Sequence, residues 1–235
     1  MPAHSEAALA ERRRRHLYGR RKGPRLSAHQ SGLIETLLPR LAFVPGTGAA
    51  AIFPSPISDL WLEIGFGAGE HLLWQAEHHP DVGLIGAEPY VSGTAKLLAK
   101  IDAQGTHLPQ IRLHDGDARD IIDAQPDASL GRVFLLFPDP WPKTRHHKRR
   151  FVQMEMLDAL ARVMKPGAEF RFASDDAGYV EWTLERVLAH PAFAWTARGQ
   201  QDWKTRPDDW PATRYEQKEL HGKPAFLRFC RLPEK

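Results

Sequence analysis

The run Val133-Phe134-Leu135-Leu136-Phe137 leads directly into Pro138-Asp139-Pro140-Trp141-Pro142-Lys143, and no other stretch limits the possible folds as tightly. Five consecutive apolar residues predict a strand covered on both faces, which puts it inside a sheet. Proline at every second position then forbids either strand or helix beyond it. Proline also restricts the residue before it, so Phe137, Asp139 and Trp141 are expected to be extended. One carboxylate, one indole and one amine are thus presented together at a strand's carboxyl end, where open α/β sheets bind their ligands.

The surrounding chain supplies such a sheet. Leu60–Ile64, Gly83–Glu88, Ile111–His114, Arg132–Phe137 and Glu169–Ala173 read as strands, and Phe193–Ala197 and Ala225–Arg231 as two more. Between them, 68–79, 92–104, 119–124, 151–164 and 179–189 carry helical spacing, and Lys165-Pro166-Gly167 reads as the turn that ends the fourth of these. Five βα units followed by a strand pair predict an α/β fold with a seven-stranded, mostly parallel sheet and helices on both faces. A domain of this kind is expected over 31–235. Ser31 to Phe43 reads as a helix or strand entry, and Pro45-Gly46 through Pro56 as a loop.

Residues 1–30 differ in composition. Arg12 to Arg15, Arg20, Arg21, Lys22 and Arg25 are eight basic residues with little apolar content between them, so a flexible arm is expected, suited to phosphates. The net charge of the 235 residues is only +3, so the basic residues are clustered rather than general. A second cluster, Arg145 to Arg150, follows the proline loop. One cysteine, Cys230, excludes a disulfide framework. With no apolar run near the roughly 18 residues of a membrane helix and no signal-peptide region, a cytoplasmic location is expected.

The first strand ends in Glu63-Ile64-Gly65-Phe66-Gly67-Ala68-Gly69-Glu70. Its G-x-G-x-G spacing departs from the dinucleotide fingerprint, and Glu70 opposes a pyrophosphate, so a ligand without phosphate fits better. Glu88 closes the second strand, where a carboxylate can accept both hydroxyls of a ribose. Asp115 and Asp117 stand after the third, where an acidic side chain can accept from an adenine amino group.

These residues, together with Phe-Pro-Asp-Pro-Trp-Pro-Lys, His-Lys-Arg-Arg, Ala-Ser-Asp and Thr213-Arg214-Tyr215-Glu216, resemble the bacterial tRNA (guanine-N7)-methyltransferases over about residues 18 to 231. The resemblance implies a class I, Rossmann-like methyltransferase fold, S-adenosylmethionine as donor and a guanosine in the tRNA variable loop as acceptor. It places Glu63, Gly65, Gly67, Glu88, Asp117 and Asp139 at the donor site and makes Asp139 catalytic. Either Asp115 or Asp117 meets the adenine, and we assign Asp117 because it directly precedes Ala118. Lys143, Asp175, Thr213, Arg214, Tyr215 and Glu216 would hold the substrate, and Arg145, His146, His147, Lys148, Arg149 and Arg150 would touch RNA.

The chemistry implied is consistent with such residues. Guanine N7 carries a lone pair and no proton, so its methylation needs no base, only placement and negative charge where the cationic purine forms. His78-His79 and His146-His147 lack metal-ligand spacing, so no metal is expected. An NAD-dependent oxidoreductase is disfavoured by the glycine spacing, and a non-catalytic RNA-binding module leaves the acidic strand ends unexplained. An amino-group methyltransferase is the nearest competitor, because Asp-Pro-Trp loosely resembles its Asp/Asn-Pro-Pro-aromatic motif. The residues leave monomer and homodimer open.

Overall fold

The computed structural model of the chain describes residues 17–19, 21–44, 46, 52–105, 108–214, 216 and 221–234. Its strands are β1 Asp59–Ile64, β2 Val82–Ala87, β3 Ile111–His114, β4 Leu130–Leu136, β5 Met164–Ser174, β6 Phe193–Trp195 and β7 Ala225–Arg231. They form one seven-stranded sheet in the order β3-β2-β1-β4-β5-β7-β6. All pairs from β3 to β5 are parallel, while β7 runs antiparallel to both β5 and β6. The chain moves outward from β1 to β3 and then returns to lay β4 on the other side of β1. Strand order therefore reverses between β1 and β4, which is where such sheets open a crevice at their carboxyl ends.

Among the described residues the α-helices are α1 Ala28–Thr36, α2 Leu38–Leu41, α3 Glu70–His78, α4 Val91–Gln104, α5 Ala118–Ala124, α6 Met154–Val163, α7 Ala177–Ala189 and α8 Gln201–Lys204. Strand alternation sorts the core between two layers. Leu62, Ile64, Val133, Leu135, Phe170, Phe172 and Leu227 face α5, α6 and α7 through Ile121, Leu157, Leu160 and Val187. Trp61, Leu84, Phe134 and Phe226 face α1, α3 and α4 through Leu33, Leu72, Leu97 and Leu98. Leu62 is completely buried, so Leu62→Ala is expected to cost about 2–5 kcal/mol, transfer plus cavity.

The expected helices and strands are present, with boundaries moved by one to three residues in most cases. Helix α1 starts inside the stretch expected to be a flexible arm, because Ser27 and Gln30 form a capping box: Gln30 N donates to Ser27 Oγ at 3.2 Å and Ser27 N to Gln30 Oε1 at 3.2 Å. Lys165-Pro166-Gly167 is not a separate turn. Met164 already pairs with Leu130, the register shifts between Leu130 and Arg132, and Gly167 at φ +83 absorbs the irregularity within β5. Arg12 to Arg15 and Arg20 lie outside the described residues.

Candidate active site

At the end of β1 the chain turns through Gly65, Gly67 and Gly69, with φ values of +74, +57 and +75. Each is a left-handed position that side chains rarely adopt, which accounts for the G-x-G-x-G spacing. Gly93, in the first turn of α4, has the complementary role: a Cβ there would lie 2.5 Å from the Gly67 carbonyl oxygen. Glycine on α4 thus lets the helix seat against the turn.

Glu88 ties these parts together. Gly67 N donates to its Oε2 at 2.8 Å and Tyr90 N to its Oε1 at 2.9 Å. Burial raises the Glu88 carboxyl above its ordinary range despite those two bonds, which act in the opposite direction. Asp117 is the N-cap of α5, accepting from Arg119 N at 3.0 Å, and its other oxygen is bound by the Arg119 guanidinium. Both acids lie on the wall of a cavity of about 450 Å³ together with Gly65, Gly67, Ala118 and Lys96.

Glu63 is not on that wall. Period-two alternation points it to the α3 layer with Trp61, where His71 Nδ1 lies 2.8 Å from its Oε2 and both side chains are buried. The expected set of donor-site acids is therefore split, with Glu88, Asp117 and Asp139 at the cavity and Glu63 behind it.

The opposite end of the cavity is made by the proline loop. Phe137 N still donates to Ala173 O at 2.7 Å, the last rung of the ladder. Beyond it the expectation of extended pre-proline residues fails: Phe137 has φ +51 and Trp141 φ +47. These are sparsely populated, strained conformations for such residues, and the surrounding contacts hold them. Asp139, between the two, stands open at the cavity mouth, and burial on its protein side raises its carboxyl above the ordinary range.

Arg150 is a main support of this loop. Its Nε donates to Pro140 O at 2.9 Å and its Nη1 to Gly178 O at 3.0 Å, while the guanidinium lies over the rings of Tyr179 and Trp182. At 4% exposure Arg150 is an internal staple, which corrects the expectation that it touches RNA. Tyr179, pushed up by burial, accepts at its hydroxyl from Phe151 N at 2.8 Å.

The other basic residues are distributed over a 3-10 helix, Thr144–Arg149. Lys143, Arg145 and Lys148 are exposed. Arg149 turns toward the cavity, its guanidinium 4.9 Å from the centroids of both Tyr18 and Trp141. His146 packs edge-on against Trp141, and burial followed by the neighbouring cations lowers its pKa below the ordinary imidazole range. His147 packs against Trp182.

Sequence reasoning missed the segment that crosses the mouth. Leu17, Tyr18 and Gly19 line the cavity, Val91 N donates to Arg21 O at 3.1 Å, and Gly19 passes so close that a Cβ would lie 3.7 Å from Asp139 Oδ2. Only the glycines hinted at this. Gly23 has no room for a Cβ, which would meet the Tyr90 and Ser92 hydroxyls at 2.3 Å.

Of the expected substrate residues, Arg214 lines the cavity. Thr213 is buried and accepts from Glu216 N at 3.2 Å, Glu216 accepts from Arg206 Nε at 3.1 Å, and Asp175 accepts from His221 N at 3.1 Å. These three hold the segment's shape; Tyr215 lies outside the described residues. Among the described residues there is no group of side chains suited to a metal ion.

The cavity's chemistry suits S-adenosylmethionine. It offers carboxylates and glycine backbone, and Glu70 at the start of α3 is paired with Lys100 at 2.8 Å and held ionised, below its ordinary range, where a phosphate would otherwise sit. A cationic, phosphate-free nucleoside fits that donor set.

Comparison with known proteins agrees. Residues 58–228 match a family described as a putative methyltransferase. The chain is similar in fold to the 16S rRNA methyltransferase KamB, with a TM-score of 0.52 at 17% identity over 90% of this chain and 98% of that one. It is also similar to the [4+2]-cyclase SpnF, with a TM-score of 0.51 at 13% identity over 79% of each chain, so this likeness concerns fold alone. Sequence relatives are much nearer. A tRNA (guanine-N(7)-)-methyltransferase of Rhodospirillum rubrum is 52% identical over 92% of this chain and 88% of its own. One from Chelativorans is 47% identical over 94% and 97%. On that similarity, spanning nearly the whole length of both relatives, the chain belongs to the tRNA (guanine-N(7)-)-methyltransferase family.

Proposed function

We propose that the chain methylates N7 of a guanosine in the variable loop of tRNA, with S-adenosylmethionine as donor, in the cytoplasm. The observation that carries this is the sharing of one cavity by the glycine turn with Glu88 and by Asp139, with the exposed cation Lys148 on its lining and exposed Arg145 three residues before it. S-adenosylmethionine, when bound, supplies an activated methyl group on a sulfonium. Gly65, Gly67, Glu88 and Asp117 would hold it, Glu88 by accepting from the ribose hydroxyls.

Asp139 provides the charge. Its carboxylate accepts no bond from the described residues, so its negative charge is poorly compensated until a cation arrives. A purine that becomes positive as N7 is alkylated relieves that deficit, so Asp139 favours the transition state over the neutral base. No residue has to remove a proton from N7. Lys143, Arg145 and Lys148 contact backbone phosphates and set register, while Arg214 and Arg149 border the acceptor end.

The test is methyl transfer from labelled S-adenosylmethionine to unmodified tRNA, followed by chain cleavage at N7-methylguanosine. Cleavage at one variable-loop guanosine is expected. Label that resists this cleavage would place the methyl group on an atom other than N7 and overturn the assignment.

A further inference from the structure

Of the two acids that follow β3, Asp115 is exposed and off the cavity wall, whereas Asp117 is on it with Ala118 and Arg119. Asp117 is also held at both oxygens. An ionised carboxylate has about four acceptor positions, two on each oxygen. At Oδ2 both are taken by one guanidinium, through Arg119 Nε at 2.8 Å and Arg119 Nη2. At Oδ1 one is taken by Arg119 N at 3.0 Å, the capping bond of α5. Among the described residues a single acceptor position on Asp117 is left, and it is on Oδ1.

The pair has little freedom. Side-chain exposures of 23% for Arg119 and 19% for Asp117 keep most of it out of water. A planar guanidinium with two N–H groups on one oxygen fixes the carboxylate plane, which a flexible ammonium cannot do. The main chain and side chain of one residue thus decide where the remaining lone pair of Asp117 stands on the cavity wall.

We infer that Arg119 is a positioning residue for the donor's nucleobase: by filling Oδ2 it leaves Asp117 one acceptor position, which selects a purine with a 6-amino group. This rests on the function proposed above, with S-adenosylmethionine as donor. A purine that carries hydrogen at C6 offers no N–H to that position and forgoes the bond. Arg119 then matters to a ligand only as far as the ligand uses Asp117, which a general support of the cavity wall would not show.

The test is calorimetry with two ligands, S-adenosylhomocysteine and its analogue with hydrogen in place of the 6-amino group. The unsubstituted protein should prefer S-adenosylhomocysteine by about 10- to 30-fold, one bond to a charged acceptor. Arg119→Met keeps the apolar stem and removes the guanidinium. It should weaken S-adenosylhomocysteine about tenfold and the analogue by no more than about twofold, so that the preference falls to a few-fold. Equal losses for the two ligands would overturn the inference, because Arg119 would then support the wall and not the bond. So would unchanged S-adenosylhomocysteine affinity in a folded Arg119→Met protein, or equal binding of both ligands by the unsubstituted one. If Arg119→Met does not fold, Arg119→Lys decides: it keeps the charge without the planar fork and should show the same selective loss at smaller size, with equal losses again overturning the idea. Failure of the unsubstituted protein to bind either ligand is a different result, which would remove the donor reading and this inference with it.

Discussion

The donor and acceptor ends of the cavity are built in different ways. At the donor end the acids stand directly after regular strands and their oxygens are already engaged: Glu88 holds Gly67 N and Tyr90 N, and Asp117 caps α5 and binds Arg119. At the acceptor end the backbone leaves the sheet through two left-handed pre-proline residues, and Asp139 stands between them with its carboxyl raised and unanswered. A preorganised end binds something that must be held. The unanswered charge is suited to something that becomes positive only during reaction.

The largest effect should come from the unanswered charge. Asp139→Asn keeps the shape of the loop, and the single-turnover rate with saturating tRNA should fall about 100- to 1000-fold. Donor affinity measured by calorimetry should stay within about threefold. A mutant turning over at near the wild-type rate would erase the distinction between the two ends.

Next come the adjacent arginines. Removing the Arg150 side chain frees two backbone carbonyls and a stacked cation from the interior, so Arg150→Ala should lower unfolding stability by about 2–3 kcal/mol in urea titration. Arg149→Ala, at the cavity mouth, should lower it by less than about 1 kcal/mol. Equal losses would mean that Arg150 does not staple the loop.

Glu88 allows the donor end to be probed by pH. Glu88→Gln should weaken S-adenosylhomocysteine binding about 10- to 30-fold, the worth of a charge-assisted bond. In the unsubstituted protein, the folded-state pKa of Glu88 lies above its unfolded value. The folded state then holds more proton in that interval, so this group's contribution to stability is present below the unfolded pKa and declines as pH rises through the folded one. Donor affinity should move the other way, rising as the carboxylate ionises, at a pH above that of an ordinary glutamate. Parallel thermal and binding titrations would show the opposite slopes, which Glu88→Gln should abolish.

The smallest effect belongs to the exposed cations. Arg145→Ala with Lys148→Ala should reduce tRNA affinity several-fold and flatten the salt dependence of log K by roughly 0.7–0.9 per lost phosphate contact, with donor affinity unmoved. An unchanged salt slope would show that neither residue meets the backbone.

What could be read from the residues follows the same division. Glu88, Asp117 and the three glycines lie at strand ends, where local periodicity fixes position, and their placement could be anticipated. Glu63 obeys periodicity too, but alternation sends it away from the cavity, and its partner His71 is a helical residue that no local pattern marks. Arg149 and Arg150 are indistinguishable as letters. Their separation depends on where the proline loop turns, and that in turn rests on Phe137 and Trp141 adopting conformations that proline statistics disfavour. Tyr18 was hidden because a basic, apolar-poor segment carries no signal of packing, and its docking depends on the gap left by Gly23.

The place of β7 in the sheet has a consequence for biosynthesis. β7 is made after β6 yet lies between β5 and β6, and among the described residues β6 pairs with no other strand. Until Ala225–Arg231 has left the ribosome, β5 presents an open edge of alternating Phe170 and Phe172 beside Arg171, and β6 has no partner. A chain interrupted just before Ala225 would retain both the glycine turn and the proline loop, yet offer an apolar strand edge to its neighbours. Such shortened products should be lost to aggregation before any deficit in their chemistry could be measured.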